Sequence, residues 1–124
     1  MVDCKACGLN SGRTHIVKGR GNSNSKILFI GEGPGSNEDK FGFAFVGDAG
    51  KELDYLLLSI GLISRHYRIE NLVKCRPPNN RVPVKEEIDI CTGLFLCETI
   101  KNMKPKLIFT LGDTATTWVF GSSG

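Results

Sequence analysis

Apolar positions along the chain alternate between short continuous runs and longer stretches in which they recur every three or four residues. The run K-I-L-F-I at 26–30, stopped by Gly31, predicts a buried strand. A glycine-heavy loop follows over 31–47. Asp48 then offers an N-cap, and Leu53, Leu56, Leu57 and Ile60 recur at i, i+3, i+4 and i+7 as one apolar helical face ended by Gly61. A second strand is predicted over 68–74, where Ile69, Leu72 and Val73 supply the apolar content. Pro77-Pro78 ends it, since proline has no N–H for a ladder. The next helix begins after Pro83, carries Glu86 and Glu87 in its electropositive first turn and runs to about Asn102. Pro105 precedes a third strand, L-I-F-T-L at 107–111, and Asp113 caps a short helix ending at Phe120-Gly121. Strands alternating with helices predict an α/β fold, a parallel sheet flanked by helices.

Composition adds boundaries to this picture. At 124 residues the chain is one domain, and 40% apolar with 23% charged residues is ordinary for a soluble globular protein. No apolar run approaches the ~20 residues a bilayer crossing requires, and the first residues lack a signal-peptide stretch, so the expected location is the cytoplasm. A formal charge of +3 permits a phosphate-bearing partner without demanding one. Residues 1–25 are polar and glycine-rich, an arm that must be tied down by something other than its own burial; residues 26–124 carry the α/β core.

Five cysteines in a chain without secretory features point to metal ligation or redox chemistry rather than disulfides. Cys4 and Cys7 form a C-x-x-C pair, Cys75 closes the second strand, and Cys91 lies in the second helix. Four soft thiolates suit an iron–sulfur cubane, with zinc and ordinary buried thiols as the competing readings. A shared centre would staple the arm to the segment between Cys75 and Cys91. Cys97 shares a helical stripe with Ile90 and Leu94, which predicts core packing.

Two motifs decide between these readings. G-E-G-P-G at 31–35, the acidic pair Glu38-Asp39 and G-F-A-F-V-G at 42–47 form the first; N-L-V-K-C-R-P-P-N-N-R at 71–81 is the second. Together they resemble the family 4 uracil-DNA glycosylases, whose first motif reads roughly GEAPG, an acidic pair and G-R-P-F-V-G, and whose second reads N-x-V-K-C-R-P-P-x-N-R. Cys4, Cys7, Cys75 and Cys91 fall where that family carries its [4Fe–4S] ligands, and residues 107–114 resemble its following strand and turn. Phe43-Ala44 stand in place of Arg-Pro, and Gly33 in place of alanine.

The resemblance implies a uracil-DNA glycosylase-like fold with a [4Fe–4S]-anchored arm, acting on uracil-containing DNA by hydrolysing the N-glycosidic bond. By the family's pattern Phe45 stacks on the base, Asn71 reads its edge, and Glu32 holds or polarises the attacking water. The backbone of Gly31, Gly33, Pro34 and Gly35 lines the pocket, and the basic residues around the cysteines, above all Arg76 and Arg81 with Arg13, Lys18, Arg20 and Lys85, contact phosphate. The family domain continues to an H-P-S or H-P-A motif for which this sequence has no counterpart, His15 and His66 lying in other segments. The chain is therefore expected to be the N-terminal portion of such a domain, C-terminally incomplete, and to excise little uracil alone. The alternative is a catalytically inactive iron–sulfur DNA-binding module, or the first part of a longer replication polypeptide such as a phage DNA polymerase.

Overall fold

The computed structural model describes residues 3–121; Met1 and Val2 of the arm and residues 122–124 lie outside that range. Four strands form one sheet in the order β1–β3–β2–β4, with β1 Arg20–Gly21, β2 Ile27–Gly31, β3 Arg68–Asn71 and β4 Leu107–Thr110. β3 and β4 pair in parallel on either side of β2, so the chain crosses over β2 between them. Ligands in open α/β sheets bind beyond the strand carboxyl ends at such a switch point.

The sheet departs from the expected all-parallel form. β1 comes from the arm and runs antiparallel to β3, with Arg20 opposite Ile69. A polar two-residue strand carries no apolar signature in sequence, and only the neighbouring β3 edge gives it a partner. β3 is also shorter than predicted, because Leu72–Lys74 leave the ladder while staying buried.

β2 has apolar neighbours on both faces. Leu28 and Ile30 face a core with Leu72, Leu96, Met103 and Ala115, while Phe29 faces Leu57, Tyr67 and Ile69. The first face is covered from the helical stretch α3 (Lys85–Cys91), a π-turn over Thr92–Leu96 and α4 (Cys97–Met103), together with α5 (Asp113–Phe120). The second is covered by α2 (Asp48–Ser59). A further short helix, α1 (Ser36–Phe41), lies inside the segment read as loop. Its six residues are too few for a periodic apolar signal.

Two expectations about helical faces are corrected. Leu53 and Leu57 of α2 meet the sheet, but Leu56 and Ile60 are 58% and 72% exposed. The buried stripe is therefore narrower than i, i+3, i+4, i+7 implies. Cys97 and Leu94 are exposed, because the π-turn adds a residue and rotates the register, burying Thr92, Leu96 and Met103 instead.

Beneath the sheet lies an ion pair. Lys74 is 2% exposed, and its Nζ donates to Glu70 Oε1 and to the Asn71 carbonyl, both at 2.8 Å. Arg68 Nε donates to the other Glu70 oxygen at 2.8 Å, so both carboxylate oxygens are satisfied. Charges this deep are tolerated only with such complete pairing.

Candidate functional site

Gly31 and Asn71 end β2 and β3 side by side in register. Asn71 is 2% exposed, and its Oδ1 is the one buried side-chain polar atom without a hydrogen-bond partner among the described residues. Buried acceptors are almost always paired, so an orphan facing a cleft asks for a donor from outside. The cleft, about 690 Å³ including its open side, is lined by Glu32, Gly33, Glu38, Phe45, Gly50, Asn71 and Leu111.

Phe45 and Asn71 meet over Gly31. A Cβ at Gly31 would stand 2.5 Å from the Phe45 ring and 2.7 Å from Asn71 Oδ1, so only glycine lets the two groups share this corner. Phe45 itself has φ of 56°, a left-handed backbone that a bulky residue adopts only under constraint. The sequence motif marked the residue but not this conformation.

Two carboxylates frame the cleft. Glu32 Oε2 accepts from the Thr114 hydroxyl at 2.6 Å, which fixes it against the first turn of α5. Glu38 accepts from the backbone N–H groups of Gly35 (3.0 Å), Val46 (3.0 Å) and Gly47 (2.7 Å), so it pins both ends of the loop that carries Phe45. Thr114 and the loop-pinning role of Glu38 escaped sequence reasoning, since a hydroxyl 82 residues from its partner leaves no local trace. The assembled corner offers a flat apolar face, an unfilled acceptor and a held carboxylate. That set suits a planar heterocycle bearing an N–H. Pro34 is buried and Gly35 closes the α1 turn through Glu38, so both shape the loop behind the cleft.

The four predicted cysteines meet elsewhere. Cys4, Cys7, Cys75 and Cys91 line one small cavity, walled by Ile16, Ile90 and Phe95. Among the described residues no group of three or more His, Cys, Asp or Glu is disposed to hold a metal ion. The thiols thus share a cavity without forming a single-ion shell. Burial pushes the Cys91 thiol up to about 11 and raises that of Cys75, whose Sγ lies 3.5 Å from the Arg13 guanidinium. Ionising these sulfurs therefore needs compensating positive charge in the cavity.

The arm is held by more than its cysteines. Asp39 accepts from the N–H groups of Thr14 (2.8 Å) and His15 (3.1 Å), and Val17 N–H donates to the Lys74 carbonyl at 2.6 Å. Among the basic residues, Arg76 Nε donates to Asn80 Oδ1 at 2.7 Å. Arg81 makes a bidentate pair with Glu87 at 2.8 and 2.9 Å, and Lys85 pairs with Asp89 at 2.7 Å. Arg20 reaches inward into bonds with Asp54 and the backbone before α2.

The Arg81 guanidinium holds the Glu87 carboxyl below its usual 4.5, helped by the Val84 N–H at 2.9 Å. A carboxylate whose value is lowered on folding adds stability above its unfolded value and loses it as pH falls through the folded one. Glu87→Gln is therefore expected to lower the melting temperature at pH 7, and the gap to the parent should close as pH drops below about 4. Thermal melts across that range check it; a gap independent of pH would refute the assignment.

Comparison with known proteins gives a consistent result. The family model described as the uracil DNA glycosylase superfamily matches residues 18–123. The chain is 42% identical over 120 residues to the type-4 uracil-DNA glycosylase of Archaeoglobus fulgidus, covering 97% of this chain and 60% of that protein. It is 45% identical to the Sulfurisphaera tokodaii protein of the same name over 125 residues, covering all of this chain and 56% of the relative. For the one from Thermotoga maritima the figures are 49% over 112 residues, 90% and 58%. The chain thus spans somewhat over half the length of these curated relatives.

Proposed function

Since the chain belongs to the uracil DNA glycosylase superfamily, we propose that it captures uracil extruded from DNA and serves hydrolysis of the bond between that base and its sugar. The observation that carries this reading is the orphaned Asn71 Oδ1 beside the Phe45 ring. Uracil presents N3–H next to the O4 carbonyl, so one side-chain amide accepts from the first and donates to the second. Cytosine presents an acceptor and an amino group in those places, which leaves the amide facing like with like. Phe45 supplies the π-face that holds the base plane once it has left the stack.

Glu32 stands beside the recognition corner, held by Thr114. Its carboxylate is suited to orienting a water towards the sugar C1′. As the water oxygen bonds to C1′, the C1′–N1 bond breaks and its electron pair leaves with uracil; the water's proton is released by way of the carboxylate. Positive charge growing on the sugar faces Glu32, and such fixed charge in a closed site acts far more strongly than in water. Gly33 adds no side chain, so the backbone from Gly31 to Gly35 shapes this wall.

Cys4, Cys7, Cys75 and Cys91 would hold a [4Fe–4S] cluster. Their donor set supports this: all four cysteines line one cavity, and a cubane takes one thiolate at each of its four irons. Bound there, the cluster supplies a cross-link between the arm and the β3–α3 segment and takes no part in hydrolysis. Arg76, directly after Cys75, and Arg81, beyond the Pro77-Pro78 turn, are placed by this reading along the DNA backbone, where Arg81 must share its guanidinium with Glu87. No helix among the described residues is long and apolar enough to cross a membrane.

The direct test is binding of single-stranded oligonucleotides that carry one uncleavable deoxyuridine analogue or the matching deoxycytidine. The uracil strand is expected to bind about a hundredfold tighter, the size of two mismatched hydrogen bonds in a dry corner. Equal affinity for both strands would overturn the reading.

A further inference from the structure

We propose that Arg20, from the polar arm, is a positioning residue for the aromatic face of this pocket: it locks Phe45 in its left-handed conformation and so sets the ring above Gly31. The proposal rests on the reading that Phe45 stacks on the base.

The case begins with the backbone. Phe45 has φ of 56°, and a side chain of that size does not hold this region unaided. Arg20 Nε donates to the Ala44 carbonyl at 2.8 Å and its Nη2 to the Phe45 carbonyl at 2.8 Å. Two consecutive carbonyls therefore converge on one planar fork, which demands that the peptide between them turn. Lysine, a single point donor, cannot reproduce this.

The fork is itself fixed. Nη2 lies 2.9 Å from both oxygens of Asp54 on α2, and the Tyr67 hydroxyl donates to Asp54 Oδ1 at 3.2 Å. The Arg20 backbone is held in β1 opposite Ile69, and its side chain is 19% exposed. From the other side α2 closes on the same peptide, since a Cβ at Gly50 would stand 1.8 Å from the Phe45 carbonyl oxygen. Arg20 and the Gly50 backbone thus both hold the Phe45 carbonyl, which fixes the direction in which its Cα–Cβ bond leaves the chain. Nε and Nη2 of Arg20 are thus both spent on the protein itself.

A double-mutant cycle on the protein carrying its cofactor separates this role from others. Arg20→Met keeps the apolar stem and is expected to weaken binding of the deoxyuridine-analogue strand about tenfold, the scale of losing one stacked base, while the deoxycytidine strand is unaffected. Arg20→Lys should lose most of the same affinity. In a Phe45→Ala background Arg20→Met should change nothing further, because its effect runs through the ring. Equal weakening of both strands would mark Arg20 as a phosphate contact, and losses that multiply in the double variant would mark a general structural role; either overturns the proposal. A second readout does not depend on uracil. Nuclear Overhauser contacts between the Phe45 ring and the Gly31 α protons should disappear in folded Arg20→Met, and their persistence would also overturn it, even if the parent shows no base preference.

Discussion

Asn71→Ala is expected to reduce binding of the deoxyuridine-analogue strand about a hundredfold, to the level of the deoxycytidine strand, the effect of deleting both hydrogen bonds of one side-chain amide. Stability should respond differently. Asn71 Oδ1 is buried without a partner in the free protein, so its removal relieves an unsatisfied acceptor. The melting temperature is expected to stay level or rise. Asn71→Asp completes the test, since a carboxylate accepts at both oxygens: it meets one donor and one acceptor on uracil and likewise on cytosine. The preference for the deoxyuridine-analogue strand should collapse, the two strands binding with similar affinity. Melting curves and paired binding isotherms check all three outcomes. An Asn71→Ala protein that is destabilised yet still selects uracil would place recognition elsewhere.

Cys75→Ser is expected to have the largest effect on the protein as a whole. Purified anaerobically, the parent should be brown with about four irons and four acid-labile sulfides per chain. The variant should be colourless, with less than about one iron, because a serine alkoxide is a poor partner for iron in a cavity that already opposes ionisation. Its arm should then be cut rapidly by protease over the first dozen residues, while β1 and the Asp39 contacts persist. Iron and zinc analysis beside limited proteolysis decides the matter. A colourless, folded parent containing one zinc would sink the cluster assignment.

Much of this architecture was legible because it lies in short segments. The apolar runs at 27–30 and 107–110 are strands, and glycine marks the ends of several elements. The two motifs also brought Gly31, Phe45 and Asn71 to notice. What escaped had physical reasons. The π-turn at Thr92–Leu96 obeys no 3.6 period, so Cys97 and Leu94 were assigned to the core although they face solvent. Arg20 is grouped in sequence with cations expected to contact phosphate, and nothing singles out Lys74, since charge in sequence says nothing of burial; their partners Asp54 and Glu70 are brought to them by the fold. The same holds for Thr114, which reaches Glu32 across the sheet end. Local signals gave the elements, and long-range polar contacts arrange the chemistry.

Lys74 shows why the stretch from Asn71 to Cys75 behaves as one part. All five residues are buried, the Lys74 ammonium holds the Asn71 carbonyl, its own carbonyl takes the Val17 N–H, and Cys75 follows at once. Under the proposed function, Asn71 as base reader and Cys75 as sulfur ligand are thereby set at a fixed gauge, with no slack turn between them. An insertion or deletion of a single amino acid here cannot be absorbed by looping out; it must tear the reader from its ring, or the ligand from its cavity.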